Sequence, residues 1–140
     1  MTGGRDCDET MGDRLSGNQR WVVDGNNVMG SRPDGWWNDR PAAMARLTDE
    51  IARWCWTHDD EVVLVFDGAI VDEVAQLAGG NLSVRFARSS RRDAADDTIA
   101  GMAVAGDIVV TADRGLLRRL SPGVTTLGPR RLLDLVRRPR

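Results

Sequence analysis

The chain has 140 residues and a formal net charge of −2, the size of one ordinary domain that buries its own core. Its only cysteines, Cys7 and Cys55, form neither a disulfide framework nor the spacing of a zinc site. No stretch reaches the roughly 18 apolar residues of a membrane span, and the beginning of the chain lacks the apolar core of a signal peptide. Composition therefore excludes disulfide-stapled and membrane-spanning classes, and we expect a cytoplasmic protein without membrane contact.

Charge is unevenly distributed along the chain. Residues 1–83 contain 7 arginines and 15 acids, whereas residues 84–140 contain 12 arginines and 6 acids, and lysine is absent. A solvated surface is the ordinary explanation of such charges. The planar fork of arginine also suits bidentate phosphate binding, so the second part of the chain is a candidate for contact with phosphates.

The beginning of the chain differs in character from the rest. Residues 1–19 are rich in glycine, aspartate, arginine and threonine and show no hydrophobic periodicity. Such a composition predicts a disordered leader. A single domain is therefore expected over residues 20–138.

The first predicted strand, residues 20–24, ends in Asp24. Because burying an unpaired carboxylate within a strand costs several kcal/mol, we expect Asp24 to project into a crevice at the strand's end. Residues 25–39 are predicted to form a loop, since glycines and a proline interrupt any helix there. This loop contains Trp36 and Trp37, which either stack on nucleic-acid bases or, for at least one of them, pack on the core.

A helix is predicted next, with Asn38 or Asp39 as its N-cap and an apolar stripe at helical spacing up to Trp54. The only histidine, His58, follows this helix at the end of the domain opposite Asp24. We interpret His58 as a surface loop residue rather than a base or metal ligand. Residues 61–67 then form a second apolar strand that also ends in an acid, Asp67.

A short helix over residues 70–78, a third strand over residues 82–87 and a basic connection lead to a helix whose first turn is acidic. It contains Asp93, Asp96 and Asp97. Acids near a helix N-terminus interact favourably with the helix dipole, so Asp93 is explained as a cap. The adjacent Asp96 and Asp97 repel each other, and we therefore expect a positive charge close to them.

A fourth strand, residues 107–111, is followed by Asp113, and a short helix, a fifth strand at residues 124–127 and a terminal helix at residues 130–137 complete the chain. Strands that alternate with helices predict right-handed crossovers and a mainly parallel α/β sheet. The carboxyl ends of parallel strands meet at one edge, which is where ligands bind in such sheets. Asp24, Asp67, Asp113 and the start of the acidic helix are therefore expected at this edge.

Four or five aspartates without histidines or thiols are hard oxygen ligands, which suit Mg²⁺ or Mn²⁺ rather than zinc. Two such ions about 4 Å apart stabilise both oxygens of a phosphodiester displacement, and water then serves as the nucleophile. The pattern of acids therefore predicts metal-dependent phosphodiester hydrolysis.

The motifs at residues 24–28, 65–67, 95–99 and 110–113 resemble those of the NYN domain, a branch of the PIN-like ribonucleases that includes the bacterial YacP-type nucleases. The likeness runs from about Arg20 to Val136. It implies a Rossmann-like sheet in the order 3-2-1-4-5 and an endoribonuclease site that depends on Mg²⁺ or Mn²⁺.

By position, the resemblance implies catalytic roles for four acids: Asp24, Asp96, Asp97 and Asp113. It implies that Asp24, Asp96 and Asp113 hold the metal. Asn27 matches the asparagine that helps to hold the metal or its waters, and Thr111 belongs to the motif that ends at Asp113. Asp67 has a supporting rather than a ligating role, and Asp93 stands near the place of a glutamate found in many PIN relatives.

On this interpretation RNA is the partner, and the phosphate backbone is contacted by arginines near the acids: Arg88, Arg91, Arg92, Arg114. The alternative for Arg114 is that it neutralises the aspartates from within. An antitoxin or other protein partner and a homo-oligomer are compatible with the resemblance.

Two rival functions come from other classes. One is a catalytically inactive PIN-like module that binds RNA, against which the retention of the aspartates argues. The other is a phosphatase-type enzyme with Asp24 as nucleophile, which is disfavoured because position 26 is asparagine rather than a second acid and the chain has no lysine to support the phosphate.

Overall fold

The computed structural model describes residues 18–88 and 94–137 as an α/β domain. Five strands form one sheet: β1 Arg20–Asp24, β2 Glu61–Asp67, β3 Leu82–Ala87, β4 Ile108–Val110 and β5 Thr125–Leu127. The helices are α1 Gly25–Gly30, α2 Arg40–Cys55, α3 Asp72–Ala75, α4 Ala94–Met102, α5 Arg114–Arg119 and α6 Pro129–Arg137, with a 3₁₀ turn at Trp36–Asn38.

The sheet is entirely parallel, in the order β3-β2-β1-β4-β5. Numbered along the chain, this is the order 3-2-1-4-5, so the predicted fold class and strand order are confirmed. β1 lies at the centre, where Val23 pairs with Leu64 of β2 on one side and with Val110 of β4 on the other. The strand order changes direction at β1, and this places the end of β1 at the position where open parallel sheets bind ligands.

Alternate residues of the central strands face two separate apolar layers. Val23 and Phe66 point to the layer formed by α2 and α6, whereas Val22 and Val65 point to the layer that includes Ile99 of α4. Both faces of the sheet are covered by helices, which explains why β1 and β2 are almost continuously apolar.

The longest helix, α2, confirms the predicted start signal. Asp39 is its N-cap and accepts a hydrogen bond from the Ala42 N–H at 3.2 Å, and Pro41 lies in the first turn. The residues buried at helical spacing include Leu47 and Ile51. The helix ends at Cys55, one residue after Trp54, the last residue of the predicted apolar stripe.

The expectation of a loop over residues 25–39 is wrong in two places. α1 occupies Gly25–Gly30, and a 3₁₀ turn occupies Trp36–Asn38. The carboxylate of Asp24 caps α1, and this starts a helix in a segment with no apolar periodicity. Gly30 ends that helix rather than preventing it.

Several predictions concern parts of the chain outside the described residues. These include residues 1–17 of the expected leader, the end of the domain at residue 138, and Asp93, Arg91 and Arg92. Among the helices that the structure does describe, none combines the length and the apolar character needed to cross a membrane.

Candidate functional site

The carboxyl edge of the sheet brings together the ends of β1, β2 and β4 and the start of α4. Asp24 ends β1, Asp67 ends β2, and Asp113 follows β4 by three residues. Asp96 lies in the first turn of α4. The parallel topology therefore places the predicted aspartates at one edge, as the sequence pattern indicates.

Asp24 is the buried centre of this edge, with 4% of its surface exposed. Its Oδ1 accepts a hydrogen bond from the Asn27 N–H at 3.4 Å, and its Oδ2 accepts one from the Thr111 hydroxyl at 2.9 Å. Burial raises the pKa of the Asp24 carboxyl to about 6, although the hydrogen bonds from Thr111 and Asn27 act to lower it. The negative charges of Asp96 and Asp113 raise the pKa further, so three predicted ligands share one electrostatic site.

Gly25 determines how closely Asp24 approaches the neighbouring strand. A Cβ atom at this position would lie 2.6 Å from Cε1 of Phe66 and 2.9 Å from the carbonyl oxygen of Val65. A side chain would therefore push the start of α1 away from β2. The glycine is required by this close approach.

Two asparagines tie the end of β1 to both neighbouring strands. Asn26 Oδ1 accepts a hydrogen bond from the Asp67 N–H at 2.7 Å, and Asn27 Oδ1 accepts one from the Ala112 N–H at 2.7 Å. Asn26, which had no role in the sequence interpretation, thus orients the end of β2. Because the Asn27 oxygen is bonded to the backbone, we assign Asn27 to positioning the site; its predicted contact with a metal or its waters stays a prediction.

Thr111 connects Asp24 to Asp113. Its hydroxyl oxygen accepts a hydrogen bond from the Asp113 N–H at 3.1 Å while its proton is donated to Asp24. The Asp113 carboxylate caps α5 by accepting a hydrogen bond from the Leu116 N–H at 3.1 Å. The short threonine-alanine-aspartate segment therefore holds both carboxylates in place.

Asp67 supports the site from β2. Its Oδ1 accepts a hydrogen bond from the Ala95 N–H at 2.8 Å, and its carbonyl oxygen accepts one from Arg40 at 3.4 Å. The first contact fixes the start of α4, the helix that carries Asp96. This contact agrees with a supporting role, and Arg40 is an additional member that the sequence interpretation missed.

The adjacent acids of α4 have different surroundings. Asp97 forms an ion pair of 2.9 Å with Arg119 of α5, whereas the charge of Asp96 acts on Asp24. The expected positive charge beside the pair is thus Arg119, which the sequence interpretation did not name. The consecutive Arg118 and Arg119 at the end of α5 were its only signal.

The arginines predicted to contact phosphate lie on the exposed rim where the structure describes them. Arg88 follows β3 and Arg114 begins α5, and both are exposed. Within residues 18–88 and 94–137, Arg114 makes no ion pair with an aspartate. Its internal neutralisation of the cluster therefore finds no support, and Arg114 is available to a ligand.

The structure also locates four other residues that were singled out in the sequence: His58, Cys55, Trp36 and Trp37. His58 lies before β2, at the amino edge, with its ring 4.3 Å from that of Trp54 and its Nδ1 accepting from the Asp60 N–H. Burial raises the pKa of the Cys55 thiol to about 11. Of the adjacent tryptophans, Trp36 packs against the core, whereas Trp37 is 62% exposed.

The donor set limits the kind of ion that this edge could hold. Among the described residues, no group of three histidine, cysteine, aspartate or glutamate side chains is arranged to hold a metal ion. Mg²⁺ commonly keeps several waters and is held through one or two carboxylates together with substrate phosphates. In the part of the chain that the structure describes, this arrangement is therefore compatible with a hydrated ion held by one or two carboxylates, and it does not form a fully enclosed metal site.

Comparison with known families gives one match. The family model described as "Uncharacterized BCR, YaiI/YqxD family" matches residues 41–130, which is 90 of the 140 residues. The matched segment contains Asp67, Asp96 and Asp113, while the Asp24 segment precedes it. Neither the curated proteins nor the solved structures include a significant match to the chain.

Proposed function

The chain belongs to the YaiI/YqxD family, a PIN-like fold group, and from this premise we propose that it is a metal-dependent ribonuclease that cleaves RNA internally. The observation that carries the proposal is the environment of Asp24, a buried carboxyl whose pKa is raised by burial and by the charges of Asp96 and Asp113. No cationic side chain of the described residues forms an ion pair with Asp24. Such a cluster favours a divalent cation.

Within the PIN-like proteins, we propose that the chain belongs to the NYN branch, which includes the YacP-type nucleases. It rests on the motifs at residues 24–28, 65–67, 95–99 and 110–113. The all-parallel sheet with its central strand ending in Asp24 is compatible with this assignment.

In the proposed mechanism, one or two carboxylates of the set Asp24, Asp96 and Asp113 would hold a hydrated Mg²⁺ or Mn²⁺, and waters and the substrate phosphate would complete its coordination. When bound, this ion would neutralise the repulsion among the carboxylates, activate a water and stabilise charge on the phosphate. Asp24 is ionised above pH 6, because its pKa is about 6, and its two hydrogen bonds keep both oxygens at a fixed orientation. Thr111, Asn27 and Asp67 position these acids, and Arg88 and Arg114 on the rim would contact the phosphate backbone.

The proposal is tested with single-stranded and hairpin RNA incubated with the full chain in Mg²⁺, Mn²⁺ or EDTA. We expect cleavage only with metal, and a loss of at least about 100-fold for Asp24→Asn and Asp96→Asn, because losing a group one shell further from a metal already costs up to about 100-fold. Asp59→Asn is the matched control, because Asp59 is an exposed acid at the amino edge. Equal cleavage by the site variants, or no cleavage by any form in either metal, would sink the nuclease function.

A second candidate is the catalytically inactive PIN-like module that binds RNA. It is favoured by one observation, the lack of a three-ligand cluster among the described residues. The same experiment separates the two functions: this module would bind the RNA in EDTA as in Mg²⁺ and leave it intact.

A further inference from the structure

A groove begins at the carboxyl edge of the sheet and runs between α1 and α6. Its inner part is a cavity of about 630 Å³, whose lining includes Asn26, Asn27, Trp36, Ala112, Arg130 and Arg131. Its outer part is a cavity of about 580 Å³ lined in part by Arg32, Asp134 and Arg137. Ser31 and Arg130 line both parts, so the two cavities adjoin; we name them together the α1–α6 groove.

The inner part begins at the candidate site. Asn26 and Asn27 follow Asp24 along the chain, and Ala112 lies between Thr111 and Asp113. A polymer with a phosphate at the aspartates could therefore continue directly into the groove. This path lies on the α6 side of the edge and differs from the rim marked by Arg88 and Arg114.

The groove carries unpaired positive charge. Its lining includes four arginines and two aspartates. Arg32 is already compensated by ion pairs with Glu50 and Asp34. By contrast, Arg130, Arg131 and Arg137 form no ion pair within the described ranges of the chain, so their charge is available to an anionic ligand.

Trp36 adds an aromatic surface to this charge. It packs against the core and stands edge-on to Trp37, with ring centroids 5.8 Å apart. Both contacts hold its indole in one orientation, and the ring also lines the inner cavity. A fixed aromatic ring next to arginines is the combination that binds single-stranded nucleic acid, because bases stack on the ring while the cations contact phosphates.

We propose that the α1–α6 groove binds the single-stranded RNA segment next to the cleaved phosphate, with one base stacked on Trp36 and the backbone held by Arg130 and Arg131. The identification of the polymer as RNA rests on the proposed function. Each cavity falls within the roughly 300–1,000 Å³ typical of ligand pockets, so the groove has room for a short run of nucleotides. A base-paired duplex would hide its bases from Trp36, and the groove therefore selects single strands.

The groove is tested by RNA binding in EDTA, which separates it from cleavage. Fluorescence anisotropy of a labelled 12-nucleotide oligouridine measures affinity for the full chain, for Arg130→Gln/Arg131→Gln and for the control pair Arg53→Gln/Arg85→Gln. The control removes the same charge from exposed arginines outside the groove. We expect the groove pair to weaken binding at least about tenfold and to reduce the slope of log affinity against log salt by about 1.4, two phosphates at about 0.7 each.

Trp36 is tested by two substitutions, since it also contacts the core. Trp36→Leu should weaken binding by about 5-fold to 150-fold, the range for one lost base stack, whereas Trp36→Phe should retain most of the affinity. Equal losses in the groove and control pairs would overturn the proposal, as would unchanged binding by the groove variants or stronger binding of a duplex than of the single strand. Competition by uridine monophosphate as effective as that by the oligonucleotide would also overturn it, because the site would then be one for free nucleotides. A groove variant that loses binding in EDTA supports the groove even if no form of the protein cleaves RNA, and that result would refute only the nuclease function.

Discussion

Two buried aspartates stand at opposite edges of the same sheet and have opposite electrostatic surroundings. Asp24, at the carboxyl edge, is 4% exposed, and Asp107, at the amino edge, is 6% exposed. Both side chains are thus almost closed to solvent, but Asp24 lies much deeper inside the protein than Asp107. The pKa of Asp24 is raised to about 6, whereas the pKa of Asp107 is lowered below its ordinary value.

The difference in pKa comes from the greater depth of Asp24 and from the partners of the two carboxylates. Burial acts to raise the pKa of Asp107, but hydrogen bonds from Arg20 and from the Val104 N–H, together with the Arg20 charge, outweigh it. Arg20 lies 2.7 Å from Asp107 and also donates to the Met102 carbonyl at 2.7 Å. From the described residues, Asp24 receives a hydroxyl and a backbone N–H, and the charged neighbours that act on its pKa are two further acids. The amino edge therefore contains a satisfied structural pair, and the carboxyl edge a carboxylate whose ionisation costs stability.

Asp107 and Asp24 illustrate how a structural acid differs from a functional one. A group selected for stability alone acquires its compensating charge within the chain, as Asp107 does. A buried acid surrounded by other acids is destabilising unless a ligand supplies the charge, and such perturbed groups are concentrated at functional sites. The comparison thus supports the placement of function at the carboxyl edge by an argument independent of the sequence motifs.

The largest effect is expected from breaking the amino-edge pair. Asp107→Asn leaves Arg20 without its partner charge and should lower the free energy of unfolding by about 3 kcal/mol, measured by urea denaturation at pH 7. Since the pKa of Asp107 is lowered in the folded state, its contribution is present above the pKa of the unfolded carboxyl, about 3.9. The contribution is lost as pH falls through the still lower folded pKa, so the difference between the variant and the wild type should shrink in acid.

Asp59→Asn is the control for this measurement, because it removes an exposed carboxylate at the same edge. It should change stability by less than about 0.5 kcal/mol. A similarly small change for Asp107→Asn would show that the Arg20 pair contributes little to stability. Asp107 would then not be a stabilising structural acid, and its contrast with Asp24 would fail.

The next prediction concerns Asp24→Asn, which should increase the stability of the protein rather than lower it. Asp24→Asn should raise the free energy of unfolding by about 1–3 kcal/mol at pH 7.5 in EDTA, because a pKa raised by about two units corresponds to at most about 3 kcal/mol and the substitution also weakens the Thr111 hydrogen bond. The folded pKa of about 6 exceeds the unfolded value of about 3.9. Wild-type stability should therefore rise as pH falls from about 6 to about 4, and the advantage of the variant should fade over that window.

Adding Mg²⁺ or Mn²⁺ at pH 7.5 supplies a second arm to this test. Wild-type protein should gain stability from the metal, since a ligand of the folded state stabilises it, whereas Asp24→Asn should not. If Asp24→Asn is less stable than the wild type in EDTA, the carboxylate has a compensating partner in the folded chain, and the comparison fails at the carboxyl edge.

The main architecture could be predicted from local sequence patterns. Apolar runs that end in Asp24 and Asp67 identify the central strands, and alternation with helices implies their parallel arrangement. Because all carboxyl ends of a parallel sheet meet at one edge, the convergence of the acids follows from the topology without any knowledge of side-chain contacts. This is why the parallel sheet and the convergence of the acids could be predicted from local patterns, whereas the strand order 3-2-1-4-5 was implied by the resemblance to the NYN domain.

What escaped prediction depends on distant side-chain pairing or on short capped segments. Arg20 and Asp107 are 87 residues apart, and no local pattern relates them. α1 has six residues and no apolar period, and the cap from Asp24 starts it. The different surroundings of Asp96 and Asp97 depend on the position of α5. In the contacts described, Arg119 of α5 pairs with Asp97 and not with Asp96.

The smallest expected effect concerns the ion pair between Asp97 and Arg119, which distinguishes Asp97 from Asp96. Asp97 and Arg119 have side chains that are 31% and 45% exposed, and ion pairs of such exposure contribute about 0.2–1 kcal/mol. Arg119→Gln should therefore lower the free energy of unfolding by no more than about 1 kcal/mol, and a double-mutant cycle with Asp97→Asn should give a coupling of the same size. Arg118→Gln on the same helix is the control and should show no coupling. If Arg119→Gln instead raises the pKa of Asp24 and reduces cleavage as strongly as Asp96→Asn, Asp97 takes part in the reaction together with Asp96. Both acids of α4 would then be functional rather than structural.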